Sequence, residues 1–276
     1  MENIKNLFDL TGRVAVITGG TGLLGQQHAE AIARAGGIPV LADIRINGVD
    51  PQGHPWKERF GEQACAIQTD ITSSESVKKM LATVLDKFGR IDILVNNAAN
   101  NPKVENKAEV EFSRFEFFPL EQWDADLNVG LKGAFLCSQV IGSEMARRKQ
   151  GVIVNVASDL AVIAPDQRLY RKPGLPEEKQ PVKPVTYSVV KTGLIGLTRY
   201  LATYWADSGI RVNAISPGGV YNNQPDDFVE RLTNLIPLGR MANANEYQAA
   251  ILFLCSEASS YMTGANLVVD GGRSCW

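Results

Sequence analysis

Seven short apolar runs, rich in Val, Ile and Leu, alternate with longer helical patterns along the chain. Apolar runs of this kind are typical of strands buried on both faces of a parallel sheet. The runs lie at 13–18, 38–43, 64–70, 91–97, 151–158, 210–216 and 266–272. The helical patterns lie near 23–36, 74–89, 121–149, 186–208 and 245–257. This alternation predicts a doubly wound α/β fold, a seven-stranded parallel sheet with helices on both faces.

Two connections are longer than such a fold needs, at 99–119 and 159–184. Loops between strands and helices usually have two to about six residues. Both connections follow predicted strand ends at the sheet edge where open α/β sheets bind ligands. No linker rich in Pro, Gly or Ser divides the chain. We therefore predict one domain over 1–276, with two long loops beside its active site.

The composition argues against several classes of partner. The formal net charge is -2, and Lys and Arg are scattered, so we expect no nucleic-acid partner. The chain shows no signal-peptide pattern and no apolar run of about 18 residues, so we expect a cytoplasmic protein without a membrane partner. The four cysteines are far apart and only two histidines accompany them, which predicts no metal site.

A glycine-rich turn, VITGGTGLLGQQ, joins the first predicted strand to the first predicted helix. Gly19, Gly22 and Gly25 would let the backbone approach a pyrophosphate at the helix N-terminus. Asp43 ends the second strand, where a carboxylate accepts hydrogen bonds from a ribose diol and repels a 2′-phosphate. These features predict a Rossmann-type site for NAD, with NADP less favoured, although Arg45 weakens that preference. A tight turn without a ligand, with Asp43 as a turn cap, is the alternative.

Tyr187 and Lys191, in YSVVK, are one helical turn apart. A phenol with its ordinary pKa of about 10 is a poor base near neutral pH, but a nearby ammonium lowers that pKa. Tyr187 could then exchange a proton with a substrate hydroxyl or carbonyl group. A surface pair without chemistry is the alternative.

Three further motifs follow the glycine turn in order around this pair: NNAAN at 96–100, VNVAS at 154–158 and NAISPGGV at 213–220. Together they resemble the compact type of the short-chain dehydrogenase/reductase family, from about Leu10 to Gly272. The resemblance implies an oxidoreductase that transfers hydride between the nicotinamide of NAD(P) and a secondary alcohol or ketone. It also implies a homodimer or homotetramer, and a single domain that is both dinucleotide-binding and catalytic.

The resemblance assigns roles to four catalytic residues, Asn128, Ser158, Tyr187 and Lys191. Ser158 would bind the substrate oxygen, Asn128 would hold a water beside Lys191, and Lys191 would also bind the nicotinamide ribose. Asp70 would contact the adenine, unless Asp70 or Thr72 caps the next helix. The predicted cofactor contacts are Gly19, Thr21, Gly22, Leu24, Gly25, Asp43, Asp70, Ile71, Asn97, Ala98, Ala99, Tyr187, Lys191, Pro217, Gly218 and Val220.

The chain departs from the family pattern at three positions. Leu23 stands where compact members carry a glycine, a spacing that resembles the extended, sugar-nucleotide-modifying branch. That branch carries a larger C-terminal substrate domain, so we expect a compact member with a variant phosphate loop. Ala99 replaces a glycine and Asn222 a threonine, which puts a ribose and a pyrophosphate contact in doubt.

The segment between Ser158 and Tyr187 is more than twice as long as in compact members. Within it, Asp159, Arg168 and Arg171 are candidate contacts for hydroxyls or an anionic substituent, and a solvated charged face is the alternative. NNAANNPKVE and APDQRLY resemble bacterial oxidoreductases of flagellin modification and nonulosonic acid pathways, which implies a small sugar-like substrate. The alternatives are an epimerase or dehydratase that recycles NAD internally, or a non-catalytic nucleotide-binding protein.

Overall fold

The computed structural model describes residues 4–46, 48, 55–100 and 112–276. Within these ranges, seven parallel strands form one sheet, which confirms the predicted fold class. The strands are β1 (Val14–Thr18), β2 (Ile38–Asp43), β3 (Cys65–Gln68), β4 (Ile93–Asn96), β5 (Gly151–Val156), β6 (Ile210–Pro217) and β7 (Asn266–Val269). Their order in the sheet is β3-β2-β1-β4-β5-β6-β7. The chain reverses direction across the sheet between β1 and β4, and such a switch point is where doubly wound folds bind ligands.

Eight α-helices are present in the described residues. They are α1 (Leu23–Arg34), α2 (Trp56–Phe60), α3 (Ser74–Phe88), α4 (Leu120–Leu127), α5 (Gly133–Arg148), α6 (Val185–Tyr204), α7 (Asp226–Thr233) and α8 (Gln248–Cys255). The prediction missed α2 and α7, since neither exceeds eight residues and each follows a proline that reads as a loop.

The helix predicted over 121–149 is confirmed at 120–148, and a π-helical turn at Asn128–Lys132 divides it into α4 and α5. Here the Gly133 N–H donates to the Asn128 carbonyl oxygen, five residues back. Gly130 packs against the Val190 side chain of α6, with no room for a Cβ atom. Single π turns inside helices are frequent at functional sites.

Helices cover both faces of the sheet. Side chains of α1, α2 and α8 pack with Ala15 and Ile17 on one face. Side chains of α3, α5 and α6 pack with Val14 and Val16 on the other. Successive residues of a strand point to opposite faces, so a strand buried on both sides is mostly apolar. Among the described residues, no helix is long and apolar enough to cross a membrane.

The 159–184 connection is folded rather than extended. It contains three short 3₁₀ turns, at Asp159–Ala161, Gln167–Tyr170 and Glu177–Lys179. The Gln180 side chain accepts from the Lys172 N–H at 2.8 Å and donates to the Lys172 and Leu175 carbonyls. These bonds tie the loop to itself beside α6. Of the other long connection, residues 101–111 lie outside the described residues.

Candidate active site

Only glycine fits at two positions of the turn after β1 that are predicted to contact the cofactor. Gly19 has a φ of +60°, and a Cβ atom there would lie 2.9 Å from the Ala98 Cα. A Cβ atom on Gly25 would overlap the Gly19 carbonyl oxygen. Gly22 is the N-cap of α1 and has no side chain to accept the first N–H groups of the helix. This close backbone turn under a helix N-terminus fits a dinucleotide pyrophosphate, with Leu24 in the first turn.

Asn97, directly after the neighbouring strand β4, fixes this turn. Its side-chain amide donates to the carbonyl oxygens of Thr18 and Gly19, at 3.0 and 3.1 Å. The Thr18 hydroxyl oxygen accepts from the N–H groups of Asn97 and Ala98, at 3.0 and 3.1 Å. The structure therefore brings the predicted 97–99 segment directly against the glycine turn.

Asp43 and Thr21 are also brought together. Asp43 Oδ2 accepts from the Thr21 N–H at 3.1 Å and from the Thr21 hydroxyl at 2.7 Å. The Arg45 N–H donates to the other carboxylate oxygen at 3.3 Å. A carboxylate thus lies at the end of β2 beside the glycine turn, where an adenosine ribose would lie in a Rossmann-type site.

Asp70 lies in a local turn after β3. Its Oδ1 accepts from the Thr72 N–H at 2.9 Å and from the Thr72 hydroxyl at 2.7 Å. Neither residue caps α3, because the N-cap is Ser73, whose hydroxyl accepts from the Ser76 N–H. Ile71 is buried against Gly133, at the start of α5.

The predicted nicotinamide segment follows β6 and is fixed by backbone contacts. The Gly218 N–H donates to the Val269 carbonyl at 2.9 Å, and the Tyr247 hydroxyl donates to the Gly218 carbonyl at 3.1 Å. Pro217 ends β6, and Val220 pairs with Ala242 in an isolated bridge. This segment therefore lies at the carboxyl edge of the sheet, as the glycine turn does.

Ser158, Tyr187 and Lys191 meet at the same edge. The Lys191 ammonium is buried and donates to the Val156 carbonyl at 2.8 Å, and it lies 5.9 Å from the Tyr187 ring centroid. Ser158 lies close enough to Tyr187 to affect the pKa of the phenol, and its own hydroxyl donates to the Asp159 carboxylate at 2.8 Å. The π turn that begins at Asn128 packs against α6 beside this group.

The expected lowering of the Tyr187 pKa by Lys191 is not found. Burial raises the pKa of Tyr187, the Ser158 hydrogen bond acts in the opposite direction, and the Asp159 carboxylate raises it further. Burial also lowers the pKa of Lys191 to about 8, and the charge of Lys183 adds to that lowering. The physical reason is that the Lys191 ammonium is directed at the Val156 carbonyl rather than at the phenol oxygen.

Lys183 is a site residue that the sequence reasoning missed. Its ammonium lies 3.8 Å from the Tyr187 ring centroid, and burial lowers its pKa to about 8. Lys183 lies four positions before Tyr187, just as Lys191 lies four positions after it. This spacing could have identified Lys183 from the sequence. An ammonium over an aromatic face is attracted to the ring, and more so when the ring becomes anionic.

Two more polar groups at the site were missed. Asp126 of α4 is buried and accepts from the side chains of Asn100, Gln122 and Thr186, which fastens α4 to the start of α6. Arg273 makes a buried ion pair with Asp159 at 2.7 Å. Asp126 has no motif around it, and Arg273 lies near the far end of the chain.

The predicted substrate contacts fall in two different environments. Asp159 is buried beside Ser158. Arg168 is 80% exposed and pairs with Asp166, and Arg171 pairs with Glu177 on the same loop surface. The structure brings neither arginine to Ser158, whereas Tyr170 of the same loop is half-buried near Tyr187.

The arrangement suits proton exchange at one oxygen atom next to a dinucleotide cleft. A nicotinamide dinucleotide, when bound, supplies or accepts hydride. The Tyr187 hydroxyl would hold or release the proton of the substrate oxygen, and the Ser158 hydroxyl would orient that oxygen. The ammonium groups of Lys183 and Lys191 lie beside the Tyr187 ring, 3.8 and 5.9 Å from its centroid.

Comparison with known proteins agrees with this geometry. A family model described as short chain dehydrogenase matches residues 13–170, and one described as enoyl-(acyl carrier protein) reductase matches residues 177–274. The chain belongs to the short-chain dehydrogenase family. This short-chain dehydrogenase is an oxidoreductase that acts on CH–OH groups with a pyridine nucleotide.

Among its relatives, the NAD-dependent glycerol dehydrogenase of Listeria innocua is 35% identical, with 96% of this chain and 95% of the relative covered. The NADP-dependent mannitol dehydrogenase of Alternaria alternata is 30% identical, with 98% and 95% covered. A crystal structure of a short chain dehydrogenase from Leptospira borgpetersenii with bound NAD+ has a TM-score of 0.82 and 30% identity, with 99% of this chain and 96% of that chain covered.

Proposed function

We propose that this short-chain dehydrogenase oxidises a secondary alcohol of a polyol or related sugar derivative with NAD, or reduces the corresponding ketone. Tyr187 acts as the proton-transfer residue, with Ser158, Lys191 and Asn128 as its catalytic partners. The observation that carries the proposal is the meeting of Ser158, Tyr187 and the ammonium groups of Lys183 and Lys191 at the sheet edge that also holds the glycine turn.

The polyol class is supported by the relatives, since those above are called glycerol and mannitol dehydrogenases. Buried polar groups near Ser158, such as Asp159, suit a substrate with several hydroxyls. The resemblance to flagellin-modification and nonulosonic acid oxidoreductases stays a prediction, and a larger sugar substrate belongs to the same proposal. Arg168 and Arg171 would then contact only the outer part of such a substrate.

The preference for NAD is supported by Asp43. A carboxylate at the end of β2 repels the 2′-phosphate of NADP and accepts hydrogen bonds from the ribose diol of NAD. Its contacts with Thr21 keep this carboxylate beside the glycine turn. The relatives named above include an NAD-dependent and an NADP-dependent enzyme, so the cofactor must be measured.

The test is a panel of glycerol, threitol, xylitol and mannitol, each with NAD and with NADP, read by nicotinamide absorbance. We expect turnover with NAD and at least one polyol. Tyr187→Phe removes only the phenol oxygen, so we expect turnover to fall by about 10²-fold or more while NAD binding persists. Binding can be followed by tryptophan fluorescence. Normal turnover by the Phe variant would contradict the assigned role of Tyr187.

We also propose that two or four copies assemble through α5 and α6. Apolar side chains project outward from these helices, among them Phe135, Val189, Tyr200 and Tyr204. Tyr200 and Tyr204 stack on one another with ring centroids 5.7 Å apart. Exposed apolar patches of this kind mark contact surfaces. Sedimentation of the full chain would distinguish a monomer from a dimer or tetramer.

A further inference from the structure

A buried ion pair contacts the Ser158 hydroxyl through one of its members, Asp159. Asp159 and Arg273 are 114 positions apart in the sequence, yet Arg273 Nη1 donates to Asp159 Oδ2 at 2.7 Å. The two side chains are 5% and 8% exposed. A buried ion pair contributes little net stability, because desolvation offsets the attraction between the charges. Its position beside the predicted catalytic serine therefore needs another explanation.

The backbone fixes the position of Arg273. After β7, the Asp270 carboxylate accepts from the N–H groups of Gly272 and Ser274, at 2.9 and 2.8 Å. Gly271 and Gly272 have φ values of +68° and +88°, which let the chain reverse there. The guanidinium thus comes from an ordered turn rather than from a loose chain end.

Asp159 controls the direction of the Ser158 hydroxyl. Its Oδ1 accepts from that hydroxyl at 2.8 Å and from the Leu160 N–H at 2.8 Å. A serine hydroxyl has one proton, so donation to Asp159 leaves the Ser158 oxygen as an acceptor towards other groups. In this state Ser158 can accept from a substrate alcohol.

A carboxylate in this position also opposes the ionisation of Tyr187. The other charged or titratable groups around that phenol are the ammonium groups of Lys183 and Lys191, Tyr170 of the long loop, and Asp126 of α4 behind Thr186. Arg273 balances the charge of Asp159 from the opposite side.

We propose that Asp159 and Arg273 are positioning residues for proton transfer at Tyr187: Asp159 sets the direction of the Ser158 hydroxyl, and Arg273 balances the charge that Asp159 brings. The inference rests on the proposed function, since it takes Tyr187 to be the group that accepts the alcohol proton.

The experiment compares three variants with the wild-type chain: Arg273→Met, Arg273→Lys and Asp159→Asn. The matched control is Arg90→Met. Arg90 pairs with another buried aspartate, Asp92, which directly precedes β4 and lies away from the site. The first readout is the pH profile of kcat/KM for oxidation of the best polyol with NAD. The second needs no substrate: the alkaline titration of tyrosinate absorbance, taken as the difference from the same variant carrying Tyr187→Phe.

Arg273→Met leaves an unbalanced carboxylate, so the ionisation of Tyr187 should move to higher pH by about one unit. Asp159→Asn leaves an unbalanced guanidinium, so it should move to lower pH by about the same amount. Asp159→Asn should lower kcat at least about 10-fold, because Ser158 loses the carboxylate that fixes its direction. Arg273→Lys and Arg90→Met should titrate like the wild type.

Both single variants break the same ion pair, so a merely structural role predicts shifts in the same direction or none. Either of those results overturns the inference. If the wild-type chain turns over no polyol, the proposed function fails, and opposite shifts in the tyrosinate titration would still support the charge balance. If the wild type is active and the titrations do not move, only this inference fails.

Discussion

Removal of a single hydroxyl, by Thr198→Val, tests how the sheet holds the helix that carries Tyr187 and Lys191. Thr198 lies on α6 and accepts from the Asn155 side-chain amide of β5 at 2.8 Å. Both residues are fully buried, and Asn155 in turn accepts from Asn96 at 2.8 Å. Lys191 lies about two helical turns before Thr198 on the same face of α6. Its ammonium donates to the carbonyl of Val156, the residue after Asn155 in β5.

Valine has nearly the shape of threonine, so the substitution removes the acceptor without leaving a large cavity. The Asn155 N–H group is then buried without a partner, which costs about 1–3 kcal/mol of unfolding free energy. A loss of about 2 kcal/mol lowers Tm by about 4–8 °C in a chain of this size.

The assay is urea denaturation together with a thermal scan. The matched control is Thr203→Val on the same helix, where the hydroxyl is exposed and donates to the Tyr200 carbonyl at 2.9 Å. Water can satisfy the groups left at that position, so we expect a change within about 0.5 kcal/mol. Equal losses in the two variants would refute the reasoning that the buried network, rather than helix propensity, fixes α6.

Two further predictions concern the site itself. Lys183→Met removes a cation from the face of the Tyr187 ring, so the pH at which kcat/KM for alcohol oxidation reaches half its maximum should rise. Burial lowers the pKa of Lys183 to about 8, so its ammonium is charged, and the effect present, below about pH 8. Lys183→Arg keeps the positive charge and should therefore keep most of the effect. An unchanged profile would contradict the assigned interaction. Gly25→Ala should abolish NAD binding, measured by tryptophan fluorescence, because its methyl group overlaps the glycine turn, whereas Gly196→Ala on α6 meets no atom within 4 Å and should bind NAD normally.

The sequence by itself indicated a seven-stranded parallel sheet and the position of its strands along the chain. Strands buried on both faces are mostly apolar, so the central strands were visible as runs of Val, Ile and Leu. The glycine turn was equally visible, because positions such as Gly19 and Gly25 exclude any side chain for local reasons. The Tyr187–Lys191 spacing follows from a single helix and needs no tertiary information.

Only the tertiary structure decided which charges surround Tyr187. Arg273 meets Asp159 across 114 positions of sequence, and Asp126 reaches Thr186 from a different helix. Side chains that meet from distant segments leave no periodic pattern, so no local reading could pair them. The pKa of Tyr187 was misjudged for the same reason, because burial and the nearby carboxylate depend on the packing of several elements.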